Sequence, residues 1–290
     1  MTASLPRVLV VFHIFYRDQI PWFLEKLSHI SHCQWDLVVT GPDLQEEDKR
    51  AITAFKPDAR FVDTGNVGYD VWPFIQVLLQ TDPERYDILV KLHTKGVARG
   101  HNYHYKQYRF KSKKWRDELV DALLKDERRW KQVLDIFEKD KSAGMVCSLK
   151  HLIQSRDLPE DDEMLDEEMD RLGIQSDDHR FCAGTIFAIR PSILRPIFKR
   201  NLREEDFVAT QKSHSSGTLS HVYERIFGIL VPASGYHVHP IGNRRPFQLL
   251  NAYYRFIAPV SSWLFEINRD RSVKPDGQKY LRIFGIRINL

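Results

Sequence analysis

The sequence predicts an α/β protein: a mostly parallel Rossmann-type sheet flanked by helices, followed by a helical or irregular C-terminal extension. Three observations carry this reading. Short β-branched apolar runs recur at intervals too long for hairpins. Amphipathic stretches fill those intervals. Polar or glycine-containing turns close the runs.

The elements follow in order. Arg7–Phe12 (RVLVVF) has the continuous apolar character of a buried parallel strand. "QIPWFLEKLSHI" sets Trp22, Phe23, Leu27 and Ile30 on one side of a helix. "WDLVVTG" is a second strand closed by Gly-Pro, "EEDKRAITAF" a second helix, and "ARFVDTG" a third strand. "DVWPFIQVLLQ" reads as a helix that tolerates Pro73 only in its first turn. "YDILVKLHTKG" is a fourth strand, with Ile88, Leu89, Val90 and Leu92 as its apolar part. A long helical pattern, Trp115 to Lys139, leads to the strands "AGMVCSL" and "FCAGTIFAIRP". "SHVYERIFGILV" reads as a helix running into a strand, and "GYHVHPI" as a late strand. The division is one α/β domain over residues 1–245 and an extension over 246–290.

Composition sets the bounds. The chain has 290 residues, 42% hydrophobic and 28% charged, enough for a sizeable core. A net charge of +4 is too small to argue for nucleic acid. The basic run from Lys95 to Arg116 and the acidic run from Asp157 to Asp178 read as solvated faces or loops. Tyr103, Tyr105, Tyr108 and Phe110 interleave with the basic residues, a pattern that also suits single-stranded nucleic acid. No RNA- or DNA-binding motif accompanies it. Cys33, Cys147 and Cys182 are scattered and odd in number, which suits a reduced, cytoplasmic protein. No signal peptide is visible, and no segment reaches the roughly 20 apolar residues of a spanning helix.

In an open α/β sheet, ligands bind beyond the carboxyl ends of the strands. That edge collects His13 and Tyr16, Asn66 to Asp70, and His93 to Lys95. Gly68 in "TGNVGYD" permits a tight turn into a helix. Asp70 reads equally as the helix N-cap or as a carboxylate accepting from sugar hydroxyls. His93 and Lys95 share a face if the chain stays extended, and two cationic donors suit a diphosphate; Lys95-Gly96 is otherwise a plain turn. Glu224 is either a surface carboxylate beside Arg225 or a functional acid. His237 and His239 share a strand face, but without a third ligand they are a weak metal signal. Cys182 reads as a small core residue.

The segments "VVFHIFY", "NVGYDVWPF", "YDILVKLHTKG", "WRDELVDALL", "AGTIFAIRP" and "HVYERIFG" resemble, in order, the rhamnan synthesis protein F family of bacterial polysaccharide glycosyltransferases. Val71-Trp72-Pro73-Phe74 departs from the charged-or-glycine helix start common in that family. The resemblance implies a GT-A-like fold and a nucleotide-sugar-dependent transferase building O-antigen or capsule-type glycans on the cytoplasmic face of the inner membrane. It puts "LHTK" where such enzymes keep Asp-x-Asp. His13, Tyr16, Asn66, Gly68, Asp70, His93 and Lys95 then bind the nucleotide sugar. Arg116, Gly184 and Thr185 contact acceptor or phosphate. Glu224 is the expected base and Asp70 the sugar anchor. The expected partners are a nucleoside diphosphate sugar and a lipid-linked or oligosaccharide acceptor, with no nucleic acid. No cofactor or metal is expected, Mg2+ or Mn2+ on the diphosphate being the alternative. A non-catalytic scaffold in polysaccharide assembly is the rival reading.

The stretch from Phe247 to Ile267 is apolar and aromatic but broken by Arg255 and Pro259. Trp263, Tyr253 and Tyr254 are residue types of the membrane interface, and Arg244, Arg245, Arg269 and Arg271 suit anionic head groups. Peripheral attachment to a membrane surface is expected, with packing on the domain as the alternative.

Overall fold

A computed structural model describes residues 5–97, 102–105, 108–155, 162–210, 218–242, 260, 263–270 and 278–289. The first half alternates as the sequence predicts: β1 (Arg7–His13), α1 (Ile20–Leu27), β2 (Gln34–Gly41), α2 (Glu46–Phe55), β3 (Arg60–Asp63), α3 (Val71–Gln80) and β4 (Ile88–His93). Next come a β5–β6 ladder (Asn102–Tyr105 and Tyr108–Lys111), α4 (Ser112–Leu124), α5 (Glu127–Lys139) and β7 (Ala143–Ser148). The series continues with β8 (Leu152–Gln154), α6 (Asp162–Leu172), β9 (Arg180–Cys182), β10 (Phe187–Ile189), α7 (Arg195–Lys199), α8 (Glu204–Thr210), α9 (Leu219–Ala233) and β11 (His237–Ile241). Finally β12 (Phe265–Asp270), β13 (Gln278–Ile283) and β14 (Ile286–Asn289) pair antiparallel.

Seven strands form the main sheet in the order β11-β7-β10-β4-β1-β2-β3. β1 pairs parallel with β2 and β4, and β11 with β7. β10 alone runs antiparallel, wedged between β4 and β7. The two innermost parallel strands are buried nearly throughout, as strands covered on both faces must be. Phe12, Phe23, Phe74, Phe187 and Phe227 are among the fully buried aromatics that fill the layers beside them.

Compactness divides the chain into residues 1–101 with 111–242, and residues 102–110 with 243–290. The second unit thus takes a short internal stretch as well as the C-terminal one. It also contains the β12–β13–β14 sheet, where the sequence suggested helical or irregular structure. Most of the Phe247–Ile267 stretch, with Arg244, Arg245 and Arg271, lies outside the described residues; Trp263, Leu264 and Phe265 within it are exposed. Among the described residues, no helix is long and apolar enough to cross a membrane.

Two further expectations are corrected. The helical pattern from Trp115 to Lys139 is two helices, because the Asp126 carboxylate accepts from the Arg129 N–H at 2.8 Å and starts α5 afresh. "SHVYERIFGILV" is one helix to Ala233, with no strand. Ile226 to Val231 are all buried, so this apolar run shows no polar face to mark its helical period. Gly228 permits the close crossing, since a Cβ there would stand 2.4 Å from the Arg180 carbonyl oxygen.

Candidate functional site

The carboxyl ends of β1 and β4 lie side by side, with His13 and His93 in register. Beyond them the chain is tied by backbone-to-side-chain bonds. The Thr94 hydroxyl accepts from the N–H groups of Phe15 and Tyr16, both at 2.9 Å. The Gln19 amide donates to the Lys95 carbonyl at 2.5 Å. These bonds fix the chain as it leaves the sheet.

Lys91 is the residue that sequence reasoning missed. It lies two positions before His93 on the same face of β4 and is 1% exposed. Its ammonium donates to Asp70 Oδ2, to the Thr185 hydroxyl at 2.9 Å and to the Thr185 carbonyl at 3.3 Å. The Thr185 hydroxyl in turn donates to Asp70 Oδ2 at 2.5 Å. Burial works against charge on Asp70, yet His93, Lys91 and Lys95 around it hold its carboxyl well below the usual carboxylate range. The N-cap alternative for Asp70 is not what the structure shows: no side-chain cap bond forms, and the carboxylate turns to Lys91 instead. A lysine inside an otherwise apolar strand was the available signal, because a buried ammonium requires a partner.

The expected His93–Lys95 pair is also revised. β4 ends at His93, so the face is shared by Lys91 and His93. The His93 ring is buried, with Nε2 2.8 Å from the Gly184 carbonyl oxygen. Its Nδ1 also lies 3.1 Å from the Thr94 carbonyl oxygen; burial pushes its pKa well below the ordinary histidine value, with Asp70 working in the opposite direction. Its two ring nitrogens thus face backbone carbonyls, which ties the end of β4 to the turn at Gly184. His13 is likewise buried, its Nδ1 3.0 Å from the Thr40 hydroxyl, and burial lowers it to about 4.

Lys95 reaches the same place by another route. Its ammonium lies 4.2 Å from the centroid of the Trp115 ring and, among the described residues, has no hydrogen-bond acceptor. Burial lowers its pKa, Asp70 and Glu224 working in the opposite direction and Lys91 reinforcing the fall. A Cβ on Gly184 would come within 3.1 Å of this ammonium, so glycine keeps the space beside it open.

The backbone around these groups is strained. Gly68 and Tyr69 have φ of +67° and +52°, and Gly184 and Thr185 have +94° and +46°. A β-branched residue in the left-handed region is a costly conformation, about 1–3 kcal/mol, that surrounding bonds must enforce. For Thr185 those bonds come from Asp70 and Lys91. The Gly184 N–H is held by Glu224 Oε1 at 2.6 Å. Glu224 therefore touches the site through the turn between β9 and β10, and is not a surface carboxylate paired with Arg225.

Other expected residues fall at the rim or elsewhere. Asn66 is exposed in the turn before Gly68, and Tyr16 is partly exposed at the end of β1, its ring against Phe15. Arg116, expected to contact acceptor or phosphate, stacks on Trp22 at 3.8 Å and donates to Asp117 at 2.7 and 2.9 Å. Its guanidinium is committed to that packing. Tyr69, strained and 39% exposed beside Asp70, lies in the expected Asn66–Asp70 turn but was given no role of its own; its φ > 0 geometry singles it out.

Two curated relatives are uncharacterized proteins WxcX from strains of Xanthomonas campestris pv. campestris, each 28% identical over 239 residues. The match covers 80% of this chain but 32% of each relative, so the chain spans about a third of their length. Among solved structures, a mycobacterial protein superposes with a TM-score of 0.40 at 14% identity, covering 98% of this chain and 86% of that one. Glucosyl-3-phosphoglycerate synthase from Mycobacterium tuberculosis, in complex with Mn2+, uridine diphosphate and glucosyl-3-phosphoglycerate, gives 0.36 at 14% identity, covering 98% and 92%. Superpositions this loose add nothing to the parallel sheet described above. The sequence motifs have firmer support, since the model of rhamnan synthesis protein F matches residues 2–236, and this chain belongs to the rhamnan synthesis protein F family.

Proposed function

We propose that this chain is a glycosyltransferase of surface-polysaccharide synthesis that takes a hexose such as rhamnose from a nucleoside diphosphate sugar. One observation carries the reading. At the carboxyl end of β4 a strained turn, the pair of buried Lys91 with half-buried Asp70, and the Lys95 ammonium converge where an α/β sheet binds its ligand. Family membership supports the polysaccharide context.

In this reading Lys95 meets the donor diphosphate. A preorganised cation in a partly desolvated site stabilises the charge that develops as the sugar–phosphate bond breaks. The electron pair leaves with the diphosphate, the acceptor hydroxyl oxygen bonds to the anomeric carbon, and its proton passes to a carboxylate. Glu224 suits that last role better than Asp70. The carboxyl of Asp70 is held strongly ionised by its cations, whereas a base works best nearer the operating pH. Asp70 would anchor sugar hydroxyls, and Tyr16 and Asn66 line the rim on the nucleotide side. The acceptor is a lipid-linked or oligosaccharide chain at the cytoplasmic face of a membrane.

In this reading cationic side chains, and not a divalent metal, meet the diphosphate. Of the two carboxylates at this end of β4, Asp70 already accepts through Oδ2 from Lys91 and Thr185, and Glu224 through Oε1 from the Gly184 N–H. Two ammonium groups beside Asp70 would repel a metal ion, and Mg2+ and Mn2+ favour several oxygen ligands. The reading is therefore metal-independent. A thermal-shift screen of nucleoside diphosphate sugars tests it: a ligand at a hundredfold its Kd should add about 2.7 kcal/mol of stability. If no such sugar stabilises the chain or is turned over, the scaffold reading replaces this one.

A further inference from the structure

A second cluster lies at the opposite end of the same sheet. Asp140 follows α5, just before β7 begins, and His237 opens the edge strand β11. β7 and β11 run parallel to β4, with β10 antiparallel to β4 and β7, so the starts of β7 and β11 are remote from its carboxyl end. His239, two residues on from His237, shares its strand face. One ligand atom from each of Asp140, His237 and His239 lies within 4.8 Å of the others.

The geometry points to a site for a borderline transition metal of the zinc class, held by Asp140, His237 and His239. Zinc bonds to imidazole nitrogen and carboxylate oxygen of about 2.1 Å place two ligands of one tetrahedral ion about 3.4 Å apart. His237 Nε2 and Asp140 Oδ2 are 3.3 Å apart. Asp140 is also oriented as metal carboxylates are. Its Oδ1 accepts from the Ser142 N–H at 3.0 Å and hydroxyl at 2.6 Å, which leaves Oδ2 turned to His237. Two imidazoles and one carboxylate leave a fourth position for water. Such a nitrogen-rich set selects zinc-like ions over Mg2+ or Ca2+.

The backbone supports the same junction. The His237 N–H donates to the Ser142 carbonyl at 2.9 Å, so strand and helix end are already in contact. A bound ion would staple the end of α5 to β11, the edge strand among the described residues. This role is independent of the sugar-transfer reading, and it would survive the failure of that reading.

The test is equilibrium dialysis of the full chain against Zn2+, with metal counted per chain. Binding should fall at least about tenfold in His239→Ala and in Asp140→Asn. It should stay unchanged in His32→Ala, which removes an exposed histidine elsewhere. Circular dichroism checks folding; if His239→Ala unfolds, His237→Ala, whose side chain is exposed, takes its place. An excess of Mg2+ of about a hundredfold should leave Zn2+ bound. Equal Zn2+ binding in wild type and the cluster variants would overturn the site and leave an ordinary His–Asp ion pair. So would equal loss in His32→Ala, or displacement by Mg2+.

Discussion

Two carboxylates in the main unit, one fully buried and one half-buried, make an instructive contrast. Glu168 on α6 is fully buried, and both its oxygens are committed: Oε1 accepts from Arg200 at 2.6 Å and the Tyr223 hydroxyl at 2.9 Å, Oε2 from Arg171 at 3.0 Å. It sits on a regular helix, and neither it nor its three donors has a positive φ. Asp70 accepts chiefly through Oδ2, adjoins the left-handed Gly68 and Tyr69, and bonds to the left-handed Thr185. Nearby, the Lys95 ammonium has no acceptor among the described residues. Burial of charge alone does not distinguish a site from a structural cluster. Incomplete partnering and enforced strain do, because nothing in packing repays them.

The sharpest way to break this contrast is to remove one cation from each cluster. Lys91→Met leaves the half-buried Asp70 without its main partner, and Arg200→Met does the same to the fully buried Glu168. Each should lower stability by about 3 kcal/mol in denaturant titration. Only Lys91→Met should also abolish transfer by the chain that remains folded. Equal loss of activity per folded molecule in both would erase the distinction.

Glu224→Gln should reduce turnover by about 10²–10⁴ with donor binding nearly intact, measured by steady-state kinetics. Glutamine keeps the oxygen that accepts from the Gly184 N–H, so a loss confined to KM would instead make Glu224 a turn-positioning residue. If Asp70→Asn gives the turnover loss and Glu224→Gln does not, the roles exchange.

Burial also predicts a pH dependence. The folded-state pKa of His13 is lowered to about 4, against about 6.5 unfolded. The unfolded chain then binds more protons between these values, so stability is complete above about pH 6.5 and falls as pH drops toward 4. The loss from this residue is about 3 kcal/mol. Urea midpoints across that window should fall less steeply in His13→Gln, and an identical slope would remove His13 as the source.

How much of this was legible beforehand follows from the physics of each segment. β1 to β4 were readable because short apolar runs closed by turn residues alternate with helix-length segments, two of which, α1 and α2, are plainly amphipathic. α9 was misread where its burial removes the polar face. Asp70, Thr185 and Glu224 were marked by position and motif, but the bond from Glu224 to the Gly184 N–H joins residues 40 apart in the chain, and no local pattern announces it. Lys91 was concealed by its own strand. The third partner of His237 and His239 lies 97 residues before the first of them, which is why two histidines alone looked weak.

The central claim is that Lys95 supplies the positive charge for a diphosphate without a metal. Isothermal titration of the nucleoside diphosphates against wild type and Lys95→Ala, each with and without EDTA, tests it most directly. Loss of one charge-assisted contact of about 1.5–3 kcal/mol should weaken binding at least about tenfold in Lys95→Ala, with the fold intact by circular dichroism. EDTA should leave the wild-type affinity unchanged. Equal affinity in the two proteins, or binding that vanishes with EDTA and returns with Mn2+, would contradict the account.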